Sequence, residues 1–189
     1  LDAMDITAPY TPGALRGGTH VHVYSPNGQF VSFTYNDHVL HQRSASLDLR
    51  NVGVATPYGP VTPRGQHPRE YGGSHWSVLV SRTTPTPVPG SDARIPELFI
   101  VTLPESEQDW KQQGDAPLAG TETTMPAPPA GVMQRRLTFT HHRRYPGLVN
   151  TPRHWVRANP QATQIAFLML DEAGVVQLWR ISPQGRDLR

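Results

Sequence analysis

Histidine is the residue type in this chain best suited to chemistry, because the chain has nine histidines and no cysteine. His20 and His22 alternate with Val21 and Val23. A β-strand here would place both imidazoles on one face. Neutral imidazoles can bind a divalent transition metal, and no thiolate competes for that role. A metal site is therefore one hypothesis, and ordinary hydrogen bonding by these histidines is the simpler alternative.

A repeated segment relates these histidines to a third one. Residues 25–33 read SPNGQFVSF and residues 159–167 read NPQATQIAF, with proline second, a β-branched residue seventh and phenylalanine ninth. His20 lies five residues before the first copy, and His154 lies five residues before the second. If both copies fold alike, His154 occupies the place equivalent to His20. We therefore add His154 to the candidate metal ligands.

Short alternating segments joined by turns favour an all-β fold. The 20 prolines and 16 glycines favour short strands and turns over long helices. Strand patterns cover residues 19–24, 30–35, 52–55, 75–81, 98–101, 134–140, 165–169 and 175–181. Residues 39–41 fit a further strand, and residues 106–113 fit a short capped helix.

The repeat arranges these strands into β-meanders, which are the units of a β-propeller. We predict about three four-stranded blades, at residues 19–60, 71–104 and 134–185, with an insertion at 105–133. Residues 1–189 then form one incomplete propeller domain. Unclosed blades expose strand edges and apolar faces. We therefore expect the chain to be a fragment that the rest of the propeller, or further chains, would complete.

The repeat resembles that of TolB-like β-propellers, in which a Pro-x-Gly turn, an Ile-Ala-Phe strand and a Leu-Trp pair recur. Residues 135–138, RRLT, resemble the strand that joins blades in that family. The resemblance implies a ring of roughly six to eight blades. It extends over the whole chain and is strongest to an uncharacterised enterobacterial branch. Members of that branch carry a longer loop near residues 92–95, so residues are expected to be missing there.

The segment HVHVYSP at residues 20–26 also resembles the H-x-H before an equivalent turn in oligogalacturonate lyase, a propeller enzyme. That resemblance implies His20 and His22 as ligands of a divalent metal such as manganese, with His154 as a weaker third ligand. The metal would neutralise a uronate carboxylate while a base, which we cannot assign, removes the adjacent proton. Three basic residues near these histidines would bind the acidic sugar: Arg16, Arg153 and Arg157.

A second cluster of imidazole and basic side chains lies in the segment HHRR at residues 141–144. Loops at one end of a propeller commonly carry binding function. His141, His142 and Arg143 are therefore candidates for substrate contacts. A solvated turn is the simpler interpretation of the same residues.

Composition excludes several classes of function. The net charge is only +2 and the basic residues are scattered, which does not favour nucleic acid as a partner. No apolar run approaches the roughly 18 residues of a membrane span. The absence of cysteine rules out disulfides and thiolate metal sites, and favours the cytoplasm over the periplasm.

Two functions remain from the sequence. The first is a binding scaffold for a small ligand, an acidic oligosaccharide or a protein partner, with no chemistry assigned. The alternative is a metal-dependent carbon–oxygen lyase that acts on oligogalacturonate-like sugars by β-elimination. They differ in geometry, since the lyase requires His20 and His22 to converge on one ion, whereas the scaffold requires only a mixed polar surface.

Overall fold

The computed structural model describes residues 2–83 and 95–189, and in these residues the all-β prediction is confirmed. They contain eleven β-strands, two short α-helices and one turn of 3₁₀ helix at Ala45–Leu47. The chain divides into two compact units: unit 1 is Leu1–Thr83 with Val101–Met133, and unit 2 is Thr84–Ile100 with Gln134–Arg189. Residues 92–94 of the predicted gap lie outside the described part of the chain.

Unit 1 is built on a four-stranded antiparallel meander. Two short parallel strands precede it, β1 (Ala3–Met4) and β2 (Ala14–Leu15). The meander consists of β3 (Gly17–Tyr24), β4 (Val31–Asp37), β5 (Asn51–Thr56) and β6 (Trp76–Leu79), side by side in that order. The sequence prediction assigned the last of these to a second blade, whereas β6 is the fourth strand of this sheet. The assignment of the remaining blades stays a prediction.

A short helix, α1 (His38–Arg43), lies where the sequence pattern favoured a strand at residues 39–41. Asp37 caps it, since its Oδ1 accepts a hydrogen bond from the Leu40 N–H at 2.9 Å. An aspartate in this position satisfies an N–H group that the first helical turn leaves unpaired. The strand prediction was wrong because it gave weight to a short apolar run and none to this cap.

The sheet of unit 1 is covered on both faces at strands β5 and β6, whereas β3 is mostly exposed. Val54 and Ala55 are consecutive residues of β5, so they point to opposite faces, yet they are only 4% and 2% exposed. One face packs in a cluster with Leu15, Val31, Phe33, Tyr35, Ala55 and Leu79. The other packs with Val54, Val78, Val80, Trp110 and Leu118. A second helix, α2 (Glu107–Lys111), supplies Trp110 to this cover and begins after Ser106, which caps it as predicted.

Unit 2 is built on a smaller antiparallel sheet. Two further strands, β7 (Phe99–Thr102) and β8 (Met133–Arg136), pair with each other as a separate two-stranded sheet. The sheet of unit 2 consists of β9 (Arg157–Ala158), β10 (Ile165–Leu170) and β11 (Val176–Ile181), with β10 in the middle. Its register places Phe167 opposite Trp179 and Ala166 opposite Arg180.

Only one face of the unit 2 sheet is buried. Phe167, Met169 and Ile181 are at most 1% exposed and pack against Leu98 and Leu137. The alternate residues of β10 and β11 lie on the other face. There Leu178 is 72% exposed and Val176 is 37% exposed. We call this surface, made by Ala166, Leu168, Leu170, Val176 and Leu178, the open face.

The two copies of the sequence repeat adopt the same local structure. At the first position, Ser25 Oγ and Asn159 Oδ1 each accept a hydrogen bond from the backbone N–H five residues later, at 3.0 and 2.9 Å. At the fourth position, Gly28 and Ala162 both have left-handed backbones, with φ of 71° and 52°. The ninth-position phenylalanines are both buried. The repeat therefore specifies one turn and the start of one strand, in both units.

Candidate functional site

The strand that carries His20 and His22 contains a β-bulge. His20 is aligned with Thr34 and Val23 with Ser32, so β3 has one more residue than β4 in this stretch. Val21 adopts a left-handed backbone with φ of 54°. A bulge of this kind interrupts the two-residue alternation of side chains. The alternation used in the sequence prediction therefore does not hold between these histidines.

As a result, His20 and His22 lie on opposite faces of the sheet. His20 is directly opposite Thr34, and the His22 ring lies 6.2 Å from the ring of Phe33, measured between centroids. Thr34 and Phe33 are consecutive in β4 and face opposite ways. The His22 Nε2 atom also lies 3.0 Å from the hydroxyl of Thr19. The two imidazoles do not converge, which removes the geometric basis for a shared metal ion.

His154 has a structural role in unit 2 that occupies both of its ring nitrogens. Nε2 accepts a hydrogen bond from the backbone N–H of Leu168 at 3.3 Å, and Nδ1 donates to the carbonyl of Pro152 at 3.1 Å. Strand β9 pairs with β10 only at Arg157 and Ala158. The imidazole therefore bonds an N–H of β10 that this short neighbouring strand does not reach. No ring nitrogen is left for a metal in this arrangement.

The set of side chains implied by the lyase resemblance does not fit a metal centre. Across residues 2–83 and 95–189, no three His, Cys, Asp or Glu residues form a group that could hold a metal ion. A divalent transition metal needs several such ligands in contact with it at once. The described residues therefore give no basis for deriving a metal-assisted step.

Arg16 lies in the interior of unit 1, and its side chain is fully buried. Its Nε and Nη2 donate to Asp37 Oδ2 at 3.0 and 2.7 Å. Nη1 and Nη2 also donate to the backbone carbonyls of Thr121 and Thr124, at 2.6 and 3.1 Å. Burial, reinforced by the Asp37 carboxylate, raises the pKa of Tyr35, whose hydroxyl donates to the same oxygen. Arg16 thus has no exposed surface with which to bind a sugar.

The loop cluster of unit 2 separates into an anchored arginine and two exposed histidines. Arg143 lies 4.5 Å above the Trp179 ring and donates to the Leu170 carbonyl at 2.9 Å. These contacts fix the loop against the sheet. His141 and His142 are exposed and stack edge to face, with ring centroids 5.4 Å apart. Within this cluster, the histidine pair is accessible to a ligand.

Two candidate arginines of unit 2 are exposed, and they differ in their contacts. Arg153 lies 5.3 Å from the Trp155 ring in a cation–π contact. Arg157 is in β9, where it is paired with Ala166 of β10. Ala166 is in turn paired with Arg180 of β11. Residues directly opposite one another in antiparallel strands project from the same face, so Arg157 and Arg180 share the open face.

A third arginine extends this alignment. The backbones of Arg180 and Arg189 exchange two hydrogen bonds, of 2.8 and 3.1 Å. This exchange is the pattern of two directly opposed residues in an antiparallel pair. We call Arg157, Arg180 and Arg189 the arginine row. Sequence reasoning selected Arg157 and missed the other two, because only the strand register shows that they are neighbours.

A hollow lies along the arginine row. Its volume is about 440 Å³, and all of its lining residues belong to unit 2. The lining consists of the arginine row with Ala158, Asn159, Gln164, Ala166, Leu178 and Trp179. Small and apolar side chains thus form the floor between three cationic groups. Pockets of this size commonly hold small molecules.

Comparison with known proteins places the chain among proteins whose function is not established. Residues 1–71 match a family model described as a protein of unknown function, DUF3748. The chain is similar to the uncharacterized protein YidR of Escherichia coli (strain K12). The two are 66% identical over 216 aligned residues, which cover all of this chain and 52% of YidR. The chain therefore spans about half the length of this relative. No solved structure matches it significantly.

The alignment with YidR is longer than the chain itself, so YidR has additional residues inside the aligned span. A longer loop in relatives was predicted near residues 92–95, and its position stays a prediction. Within the described residues, no helix is both long and apolar enough to cross a membrane.

Proposed function

We propose that this chain is part of a TolB-like β-propeller that acts as a binding scaffold and performs no chemistry of its own. The four-stranded meander of unit 1 supports this proposal, because a four-stranded meander is the repeating element of β-propellers. Strands β5 and β6 of this sheet are mostly buried on both faces, which fits a sheet packed between two layers. The matching turns at residues 25–33 and 159–167 further support a repeated blade.

The single observation that carries the proposal is that unit 2 has an exposed surface suited to binding, whereas the candidate residues for metal chemistry do not come together. Its sheet presents an apolar open face beside a cationic hollow. Contiguous exposed apolar surface commonly marks a site of association. The candidate metal ligands, by contrast, lie on opposite faces of a sheet, as His20 and His22 do, or make structural hydrogen bonds, as His154 does. A scaffold uses the first feature and does not need the second.

Electron cryomicroscopy or small-angle scattering of the full-length protein tests the architecture. We expect a closed ring of blades around a central channel. An elongated particle, or sheets stacked without a central axis, would rule out the propeller. Binding without turnover is the expected behaviour toward any ligand found.

The manganese-dependent lyase is tested on the same preparation. It requires tightly bound metal that is lost, together with β-elimination of oligogalacturonate, when His20 is replaced by alanine. Thr34→Ala is a matched control, since Thr34 lies opposite His20 but has no ligand nitrogen. We expect neither a stoichiometric metal nor lyase activity. Finding both, and losing both in His20→Ala alone, would replace the scaffold by the lyase.

A further inference from the structure

We propose that the arginine row binds a small polyanion carrying two or more carboxylate or phosphate groups. This inference rests on the proposed scaffold function and names the class of ligand that the scaffold takes. It begins with the backbone. Arg157, Arg180 and Arg189 lie in one cross-strand line on one face, with Ala166 between the first two. Neighbouring strands are about 5 Å apart, so the three side chains arise over roughly 15 Å.

The second step is the lack of charge compensation in this row. Among the described residues, none of the three guanidinium groups makes a side-chain hydrogen bond or ion pair. Two other arginines of unit 2 have such partners. Arg136 donates to the Glu97 carboxylate at 2.6 Å, and Arg135 donates to the Pro183 carbonyl at 2.6 Å.

Like charges directly opposite each other destabilise a sheet. The direct opposition of Arg180 and Arg189 therefore costs the fold free energy that an anion would recover. The chain carries 15 acidic residues, and none of them lines this hollow. The arginine row therefore provides positive charge without a neighbouring acidic residue, as a site for an anionic ligand would.

The third step is shape. Ala166 lies between Arg157 and Arg180, and its small side chain leaves space between them. The hollow of about 440 Å³ opens at this point. The exposed Leu178 side chain supplies an apolar wall. A ligand of metabolite size, with acidic groups about 5 to 10 Å apart to match the strand spacing, fits this arrangement.

The fourth step is the hydrogen-bonding character of the site. The planar guanidinium group of arginine matches carboxylate and phosphate groups with two parallel hydrogen bonds. Gln164 lines the same hollow, and its Oε1 is buried without a hydrogen-bond partner in the described structure. A buried acceptor of this kind is costly to leave unpaired. Because this oxygen has almost no accessible surface, the Gln164 side chain must turn toward the hollow before a ligand hydroxyl can donate to it. A hydroxylated anion that induces this turn would satisfy the acceptor.

Calorimetric titration of the full-length protein at low ionic strength tests the site. Citrate is the carboxylate probe, and pyrophosphate is the phosphate probe. Acetate supplies a single charge, and tricarballylate is citrate without its hydroxyl. We expect citrate or pyrophosphate to bind at one site per chain and acetate not to bind. Citrate should bind more tightly than tricarballylate, and equal affinity would contradict the role of Gln164.

The variants Arg157→Gln and Arg180→Gln should each weaken binding about tenfold. The reason is that losing a hydrogen bond to a charged group raises Kd by roughly tenfold or more. The matched control is Arg186→Gln, which removes an exposed charge from the same segment outside the hollow. Thermal unfolding without ligand should show Arg180→Gln at least as stable as the parent, because an opposed like charge is removed.

Wild-type binding by the double variant Arg157→Gln/Arg180→Gln would overturn the proposal. So would equal weakening by Arg186→Gln, because it would indicate diffuse attraction rather than a site. A carboxylate from another part of the full-length protein, seated on the row, would also overturn it. Failure of this site leaves the ring architecture and the metal test unaffected, so the two proposals fail separately.

Discussion

The sheets of unit 1 and unit 2 share the same turn between their first two strands but are covered differently. In unit 1, strands β5 and β6 are mostly buried on both faces, and an ion pair between Arg16 and Asp37 lies inside, with both side chains fully buried. In unit 2, one face is buried, whereas the other exposes Leu178 and the arginine row. The comparison shows that the repeat determines the first turn of a sheet and leaves open what covers that sheet.

The same comparison separates structural cations from available ones. Arg16 has its charge neutralised by Asp37 and donates two further hydrogen bonds to carbonyl oxygens. Arg157 and Arg180 have the same functional group and no such partners among the described residues. A buried, fully bonded arginine stabilises a fold, and an exposed, unpaired one is free to recognise an anion. Position in the sheet, rather than residue type, decides between these roles.

The largest expected effect is from Asp37→Ala, which removes the partner of a buried cation. Leaving Arg16 uncompensated should lower the free energy of unfolding by about 4 kcal/mol. The helix cap at Leu40 would be lost as well. Urea denaturation measures the change. Glu107→Gln is the control, because its pair with Lys111 is exposed and should cost less than about 0.5 kcal/mol. Similar costs for both variants would show that the buried pair does not hold unit 1 together.

A matched pair of valine substitutions tests the difference in covering. Val54→Ala should cost about 2 kcal/mol, since Val54 is 4% exposed in a packed cluster. Val176→Ala should cost less than about 0.5 kcal/mol, because Val176 lies on the open face. Thermal or urea unfolding of this chain gives both values. If the two substitutions lower the free energy of unfolding equally in the full-length protein, another segment covers the open face there. The difference in covering between unit 1 and unit 2 would then hold only for this chain by itself.

His154→Ala should have a moderate and local effect. It removes the acceptor for the Leu168 N–H, and loss of such a hydrogen bond costs about 1 kcal/mol. Hydrogen exchange at the Leu168 amide should become faster by about the matching factor of five. His141→Ala, in the exposed loop pair, should leave this amide unchanged. An unaffected Leu168 amide in His154→Ala would show that the imidazole does not support β10.

The smallest expected effect is a pH dependence in unit 1. Burial first, and then the positive charge of Arg69, lower the pKa of His38, while Asp37 opposes this and His41 and His67 reinforce it. Because the folded pKa is lowered, the unfolded chain binds a proton that the folded chain does not. Stability should therefore fall as the pH drops through the usual histidine pKa of 6.5.

Replacing His38 by glutamine should flatten the change in unfolding free energy between about pH 7.5 and about pH 5.5. His142→Gln, an exposed change in unit 2, should leave the slope as it is. An unchanged slope in His38→Gln would indicate that other groups of unit 1 determine its acid sensitivity. The measurement thus shows whether His38 contributes to the pH dependence of the stability of unit 1.

Much of the fold could be predicted because it depends on local signals. The turns at residues 25–33 and 159–167 follow from a proline, a side-chain acceptor and a residue with a left-handed backbone, all within five positions. The caps at Ser106 and Asp37 are equally local, although the second was overlooked. The bulge at Val21 was not predictable from alternation, because an extra residue in one strand changes nothing in the pattern of residue types.

The sequence alone determined that this is an all-β chain with a repeated turn, since φ preferences and side-chain alternation act over a few residues. It could not determine which histidines converge or which arginines align. Those depend on strand register, which places Arg157 beside Arg180 across 23 positions of sequence. Only the tertiary structure decided that Arg16 is buried with Asp37 and that the arginine row faces solvent. The physical reason is that charge pairing depends on which strands meet, whereas a turn depends only on the residues within it.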